Sequence, residues 1–173
     1  MAINRLNHAV LYVRDAEKSA AFYAEVLGFR RLTLGIPGAV FMQAEGSTND
    51  HDLGLFSVGE EAAPSAAGRG SVGLYHLAWE VDTLADLASI GEKLSSAGAL
   101  VGATDHGTTK AVYARDLDGI EFEVSWLVPA DRLDGTERPM AARLDLPREM
   151  ERYGADTLGG VGVSRQATTG ATS

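Results

Sequence analysis

The feature that most limits the possible folds of this chain is an internal repeat of one strand, one helix and three further strands. The first copy covers about residues 3–58 and the second about residues 74–128. Each copy begins with a strand-like run that contains a histidine, His8 in LNHAVLYV and His76 in LYHLAWEV. Because a repeat constrains a fold more than any single element does, we predict an α+β chain built from two βαβββ modules.

The helices of the repeat have clear sequence signals. Apolar residues recur at helical spacing over Ala16–Leu27, with Asp15 before the segment as an N-cap and Gly28 after it as a terminating glycine. The second helix is predicted over Leu84–Ala97, with signals of the same kinds. Short strands are predicted at Leu6–Val13, Arg30–Leu34, Ala39–Ala44, Leu53–Val58, Leu74–Val81, Leu100–Thr104, Ala111–Arg115 and Ile120–Leu127.

The composition changes at three places and divides the chain. We predict one domain over residues 1–129, with a linker rich in Gly, Ala, Ser and Pro at residues 59–73 joining its two modules. Residues 130–153 form a C-terminal extension that could hold a short helix near Arg148–Tyr153. Residues 154–173 have little apolar content, and we expect a flexible tail there.

Composition excludes several classes of function. The chain has 173 residues, four histidines and no cysteine, which removes disulfides, iron–sulfur clusters and thiolate zinc sites. A net charge of −9 argues against nucleic-acid partners and anionic membranes. No apolar run approaches membrane-spanning length and the start lacks a secretory pattern, so we expect a cytoplasmic location. Any bound metal must therefore use His, Asp or Glu ligands.

The histidines in the repeat are the first candidate metal ligands. If the two modules pair by pseudo-symmetry, His8 and His76 face each other across a shared concave sheet. A third ligand is available from the last strand, where Glu121 and Glu123 lie on one face because strand side chains alternate. Two histidines and one carboxylate with open positions form the ligand set of non-haem Fe(II) oxygenases.

The repeat, these ligands and the turn Asp-Leu-Asp-Gly before Ile-Glu-Phe-Glu resemble the vicinal oxygen chelate superfamily over about residues 3–128. This superfamily includes glyoxalase I, fosfomycin-resistance enzymes, bleomycin-binding proteins and extradiol dioxygenases. The resemblance implies one concave cup of mixed sheet formed by the paired modules. It also selects Glu123 over Glu121 as the ligand. Leu117 stands where the superfamily commonly has proline, a turn detail that leaves the ligand unaffected.

Further residues resemble the extradiol branch of this superfamily. The strand Leu53–Val58 offers no fourth ligand of the kind that glyoxalase I usually has. His51, just before that strand, is similar to the second-sphere histidine of extradiol enzymes. The run from His106 through Tyr113 to Glu123 is similar to the extradiol signature.

The resemblance implies Fe(II) held by two histidines and one glutamate, although Mn(II) suits the same ligands. The implied reaction is extradiol (meta-cleaving) ring opening of a catecholic compound by O2, as in aromatic degradation. In this interpretation His51 is the acid–base residue, and His106 and Tyr113 hydrogen-bond the substrate oxygens. Small members commonly dimerise, so we expect a homodimer or a higher homo-oligomer.

Two alternative functions remain open at this point. One is a non-redox metal enzyme of the same superfamily, either glyoxalase-like or isomerase-like or of the fosfomycin-resistance kind. The other is a drug-binding protein of the bleomycin type, which needs no metal triad. A substrate carboxylate could pair with Arg69, Lys110 or Arg115, although a solvated surface position is the simpler interpretation of each.

Overall fold

The computed structural model describes residues 3, 5–33, 35–68, 70–133, 135, 137 and 142–160. The chain divides into two compact units, the first formed by Met1–Ala66 with Asp116–Ile120 and the second by Ala67–Arg115 with Glu121–Ser173. In the described part of the chain, no helix has the length and apolar character needed to cross a membrane.

The first unit is a four-stranded sheet with one helix. Its strands follow the order β1-β4-β3-β2, in which β1 and β4 are parallel and the other neighbours are antiparallel. The elements in chain order are β1 Ala9–Val13, α1 Ala16–Leu27, β2 Arg30–Leu32, β3 Ala39–Gln43 and β4 Leu53–Ser57.

One face of this sheet forms the core of the first unit. Along β1, Leu11 and Val13 are buried, whereas Val10 and Tyr12 point to the opposite, exposed face. The buried face of the sheet packs against the apolar stripe of α1, which removes both apolar surfaces from water. The buried residues of this core include Leu11, Val13, Ala20, Tyr23, Val26, Val40, Met42, Leu53 and Leu55.

The second unit repeats this pattern and adds one strand. Its sheet has the order β5-β8-β7-β6-β9, in which β5 and β8 are parallel and the other neighbours are antiparallel. The elements are β5 Leu77–Glu80, α2 Leu84–Ser96, β6 Leu100–Asp105, β7 Thr109–Arg115, β8 Glu121–Leu127, a short 3-10 helix Ala130–Arg132, β9 Ala142–Arg143 and α3 Leu146–Tyr153.

The strand β8 shows how the second unit separates its two faces. Phe122, Val124 and Trp126 are each at most 1% exposed and lie on the face that packs against helices. Glu121 and Glu123 alternate with them and lie on the opposite face. The carboxylates of the predicted site are therefore directed away from the core.

The predicted α+β class and both βαβββ repeats are confirmed, with small differences in the strands. β1 begins at Ala9 and β5 at Leu77, so His8 and His76 lie directly before these strands rather than inside them. The parallel partner of β1 begins at Leu53, opposite Ala9, and the partner of β5 begins at Glu121, one residue before the residue opposite Leu77. The last residue of the strand predicted at Arg30–Leu34 lies outside the described residues.

The C-terminal extension joins the second unit. The sequence predicts a short helix near Arg148–Tyr153, and α3 spans Leu146–Tyr153 behind an Asp145 N-cap that accepts from the Arg148 N–H. The short strand β9 was not predicted from the sequence. It pairs with the end of β6 through Thr104 and Asp105.

The segment after α3 differs from the flexible tail that the sequence predicts. Gly159 N–H donates to the Asp82 carbonyl at 2.9 Å, and Trp126 Nε1–H donates to the Thr157 carbonyl at 3.2 Å. Within residues 154–160, these two hydrogen bonds use only the backbone groups of Thr157 and Gly159, so this segment needs no apolar side chains and shows no hydrophobic pattern. Residues 161–173, the rest of the predicted tail, lie outside the described residues.

A buried hydroxyl supports the turn at residues 116–120. The Tyr23 hydroxyl donates to the Asp116 carboxylate at 3.0 Å, and both residues are buried. We expect Tyr23→Phe to reduce the free energy of unfolding by about 1–3 kcal/mol, because Asp116 would keep a buried oxygen without its donor. Urea denaturation measures this loss, and Tyr12→Phe is the matched control because Tyr12 is 76% exposed.

The pH dependence of this loss gives a second check. Burial raises the pKa of Asp116 above its usual value, and hydrogen bonds, including that of Tyr23, counteract the rise. Removing the hydroxyl raises this pKa further in the folded protein, so the variant loses stability as pH rises through the pKa. The destabilisation should be larger at neutral than at acid pH. Equal losses at both would contradict this account.

Candidate functional site

In the first unit, the side chain of His8 is oriented by the residue before it. Its Nδ1 lies 2.8 Å from Oδ1 of Asn7, and the Asn7 carbonyl in turn accepts from Nδ2 of Asn49 at 2.8 Å. A neutral His8 that donates its Nδ1 proton to Asn7 keeps the lone pair on Nε2. Metal-binding histidines in proteins are oriented in the same way.

His51 lies beside His8 in the same unit. The two ring centroids are 4.3 Å apart, and Phe41 contacts the His51 ring edge-on at 5.1 Å between centroids. The backbone N–H of His51 donates to Asp50 and holds the pKa of that carboxyl below its usual value. Asp50 therefore stays charged, with its Oδ1 3.3 Å from Nδ1 of the His51 imidazole.

The loop that carries His51 is built around one buried carboxylate. Asp52 is 8% exposed and accepts hydrogen bonds from the Ala44 N–H, the Ser47 hydroxyl and the Asn49 amide, at 2.7–2.8 Å. Asp52, Asn49 and Asn7 were not predicted as supports of the two histidines. The sequence does contain a pattern that could have indicated this network, an Asp directly before an apolar strand and after a loop rich in Ser and Asn.

In the second unit, His76 and Glu123 come together. Nε2 of His76 lies 3.3 Å from Oε2 of Glu123, with the side chains 24% and 13% exposed. The parallel ladder pairs Ala78, two residues after His76, with Glu123, so His76 and Glu123 lie on the same face of the sheet. Glu121 is turned to another partner, since its carboxylate lies 3.3 Å from Arg115. The geometry therefore distinguishes the two carboxylates that the strand pattern leaves open.

Tyr113 stands next to this pair. It is directly opposite Glu123 in the antiparallel ladder, and its ring centroid lies 5.8 Å from that of His76. Burial, together with the negative charge of Glu123 and a hydrogen bond to it, raises the pKa of Tyr113 to about 12. The phenol therefore keeps its proton over the physiological range and can act as a hydrogen-bond donor.

His106 is the fourth member of this cluster. It lies in the turn between β6 and β7, and its Nε2 is 2.9 Å from the Tyr113 hydroxyl. If Nε2 of His106 carries the ring proton, it donates to the phenol oxygen and leaves the Tyr113 proton free to reach another acceptor. The second unit thus joins His76, Glu123, Tyr113 and His106 into one continuous set of polar groups.

The separation between His76 and Glu123 fits two ligands of one metal ion. Ligand atoms about 2.1 Å from a metal, at octahedral to tetrahedral angles, are about 3.0–3.4 Å apart. Nδ1 of His76 is buried and has no hydrogen-bond partner among the described residues, so the polar contact of this side chain is on the Nε2 side. Within either unit, the described residues include no group of three or more His, Asp or Glu able to hold a metal.

The three cations considered for a substrate carboxylate have different positions. Lys110 is completely buried, so the solvated position expected from the sequence is wrong for it. Arg115 is paired with Glu121. Arg69 lies outside the described residues.

Comparison with known proteins identifies the family. The profile of the Glyoxalase/Bleomycin resistance protein/Dioxygenase superfamily matches residues 5–124. Catechol-2,3-dioxygenase of Bacillus subtilis (strain 168) is 29% identical over 119 residues, which cover 69% of this chain. The match covers only 40% of that relative, so the chain spans less than half of its length.

Solved structures have the same fold. A glyoxylase/bleomycin resistance protein/dioxygenase domain from Frankia sp. EAN1pec aligns with a TM-score of 0.61 and 23% identity, covering 72% of this chain and 92% of that one. Lactoylglutathione lyase from Agrobacterium tumefaciens aligns with a TM-score of 0.53 and 24% identity, covering 72% and 95%. With the repeated βαβββ modules and the profile match, these findings show that the chain belongs to the glyoxalase/bleomycin resistance/dioxygenase (vicinal oxygen chelate) superfamily.

Proposed function

We propose that this chain is a non-haem Fe(II)-dependent extradiol dioxygenase that opens the ring of a catecholic compound with O2. The observation that carries the proposal is the cluster in the second unit, where His76 and Glu123 lie 3.3 Å apart next to Tyr113 and His106. The similarity to the catechol-2,3-dioxygenase of Bacillus subtilis supports the same chemistry.

The proposed metal ligands are His8, His76 and Glu123. Two neutral imidazoles and one carboxylate leave a divalent ion with a single net positive charge. When bound, Fe(II) supplies adjacent coordination positions for the two vicinal oxygens of a catecholate and for O2. The same ligands would accept Mn(II).

The other residues would manage the protons and the orientation of the substrate. His51 would accept the proton that the catechol loses on binding and return it to a product oxygen. Asp50 faces its Nδ1 and would stabilise the imidazolium that forms in between. Tyr113, with a pKa of about 12, would donate a hydrogen bond to a substrate oxygen while His106 holds the phenol in place.

Oxygen consumption tests this proposal. Protein purified without oxygen and loaded with Fe(II) is mixed with catechol and a panel of ring-substituted catechols in an oxygen electrode. We expect equimolar uptake of O2 and substrate, with the visible absorbance of a muconic semialdehyde. The chelator-treated protein is the control and should consume none. Absence of uptake with every catechol, in protein shown to hold stoichiometric iron, would contradict the proposed reaction.

A further inference from the structure

Lys110 carries a charge in the interior of the second unit. It lies on β7, on the face of the sheet opposite Tyr113, and is 0% exposed. A buried ammonium is costly unless it is paired. Two carboxylates supply that pairing. Oδ1 of Asp105 lies 2.5 Å from Nζ of Lys110, and Oε2 of Glu149 lies 2.9 Å from it.

Asp105 connects Lys110 to the turn that contains His106. Its Oδ1 accepts from both Lys110 Nζ and the Gly107 N–H, the latter at 2.8 Å. Burial alone would raise the pKa of Asp105, but these two donors lower it overall, so the carboxylate is charged. The turn is closed by the His106 N–H, which donates to the Thr109 carbonyl at 2.9 Å.

Glu149 connects the same lysine to the C-terminal extension. It lies on α3 and is 4% exposed, and its contact with Lys110 is an ion pair outside hydrogen-bonding geometry. The ring of Tyr153, one turn further along α3, lies 5.6 Å from Nζ of Lys110 and packs against Trp126. The superfamily profile ends at residue 124, so this helix lies beyond the matched region.

We propose that Glu149 is a positioning residue for His106. Through Lys110 it fixes Asp105, and through Asp105 it fixes the turn that presents the His106 imidazole to the Tyr113 hydroxyl. Strand β9 also holds Asp105 in place, because Ala142 pairs with Asp105 in the sheet. The effect on turnover rests on the proposed dioxygenase function, whereas the effect on the geometry of His106 does not.

The test compares Glu149→Gln with Glu151→Gln, which removes an exposed carboxylate from the same helix. In Glu149→Gln we expect a shifted His106 imidazole resonance by NMR and amide exchange at Gly107 faster by about 10-fold or more. The kcat/KM for a catechol should fall by about 10-fold, because His106 holds the phenol that hydrogen-bonds the substrate oxygen. Glu151→Gln should match the unmodified protein in all three.

The His106 resonance and the Gly107 exchange rate test the positioning role of Glu149 without depending on the proposed dioxygenase reaction. A His106 resonance and a Gly107 exchange rate unchanged in Glu149→Gln would overturn the positioning role, whatever the activity. If both change but the unmodified protein cleaves no catechol, the positioning role stands and the proposed reaction fails.

A second variant covers the case in which Glu149→Gln does not fold. In Glu149→Gln with Lys110→Met, no buried cation remains without its carboxylate, and Asp105 is partly exposed and keeps the Gly107 N–H, so the double variant should fold. Asp105 would still lack its lysine, so Gly107 should again exchange about 10-fold faster. A double variant that folds and keeps the original His106 resonance would overturn the proposal.

Discussion

Replacing Glu123 by glutamine is expected to weaken Fe(II) binding by at least about 100-fold and to abolish catechol cleavage. The substitution keeps the size of the side chain but removes the one negative charge of the proposed ligand set, and an amide oxygen is a poor replacement. Removing a residue that only hydrogen-bonds a metal ligand already lowers metal affinity by about 10–100-fold, so removing a ligand should lower it at least as much. Anaerobic Fe(II) titration by calorimetry measures the affinity directly.

Glu121→Gln is the matched control for this prediction. Glu121 has the same chemistry, the same strand and the same face of the sheet, but its carboxylate pairs with Arg115. We expect Fe(II) affinity within about 2-fold of the unmodified protein. Equal losses of Fe(II) affinity in the two variants would mean that β8 tolerates neither substitution and would contradict a specific role for Glu123. A loss in Glu121→Gln alone would assign the ligand to Glu121.

Replacing His51 by phenylalanine is expected to lower kcat by about 10²–10⁴-fold, the usual contribution of a positioned acid–base group. The phenyl ring preserves the aromatic contacts with His8 and Phe41, so the packing of the loop should survive. Fe(II) affinity should stay within about 2-fold, since His51 is not a proposed ligand. Steady-state oxygen uptake with parallel Fe(II) titration separates the two effects.

The control for His51 is its exposed neighbour. Asp50→Asn removes a carboxylate whose side chain is 79% exposed, while it keeps a hydrogen-bond acceptor beside Nδ1. We expect a loss of at most about 10-fold in kcat. Unchanged turnover in His51→Phe would remove His51 from the mechanism. A loss in Asp50→Asn as large as that of His51→Phe would assign the effect to the loop rather than to the imidazole.

The sequence predicted helices more accurately than strands, for a physical reason. The ends of α1 are at the predicted residues because Asp15 and Gly28 carry the capping chemistry themselves: Asp15 accepts from the Glu17 and Lys18 N–H groups, and Gly28 has φ 73°. The start of β1 depends instead on where β4 begins, which no residue near His8 encodes. The strand was therefore predicted to begin too early.

The packing of the C-terminal extension was the largest feature that the sequence did not reveal. α3 buries Glu149 and Tyr153, and a glutamate in a charged segment normally indicates solvent. Its burial becomes favourable only through Lys110, which is 39 positions earlier in the chain. Partners so distant in sequence produce no local periodicity, so neither the ion pair nor β9 could be predicted.

Part of the candidate site could be predicted from the sequence. The repeat gave His76 an equivalent of His8, and strand alternation limited the carboxylate to Glu121 or Glu123. Only the side-chain contacts in the folded chain show that Glu123 lies next to His76 and that Glu121 pairs with Arg115. The network around Asp52 was missed because hydrogen bonds to a loop carboxylate, from the Ala44 N–H and the Ser47 hydroxyl, follow no repeating pattern.

The most direct test of the central claim is the fate of the two atoms of O2. The Fe(II)-loaded protein is supplied with isotopically labelled oxygen and the best catechol of the panel, and the rapidly quenched product is examined by mass spectrometry. The account predicts a ring-opened semialdehyde, cleaved beside the diol, that contains both labelled atoms. A product with one labelled atom or none, or a quinone formed without ring opening, would contradict extradiol cleavage by this chain.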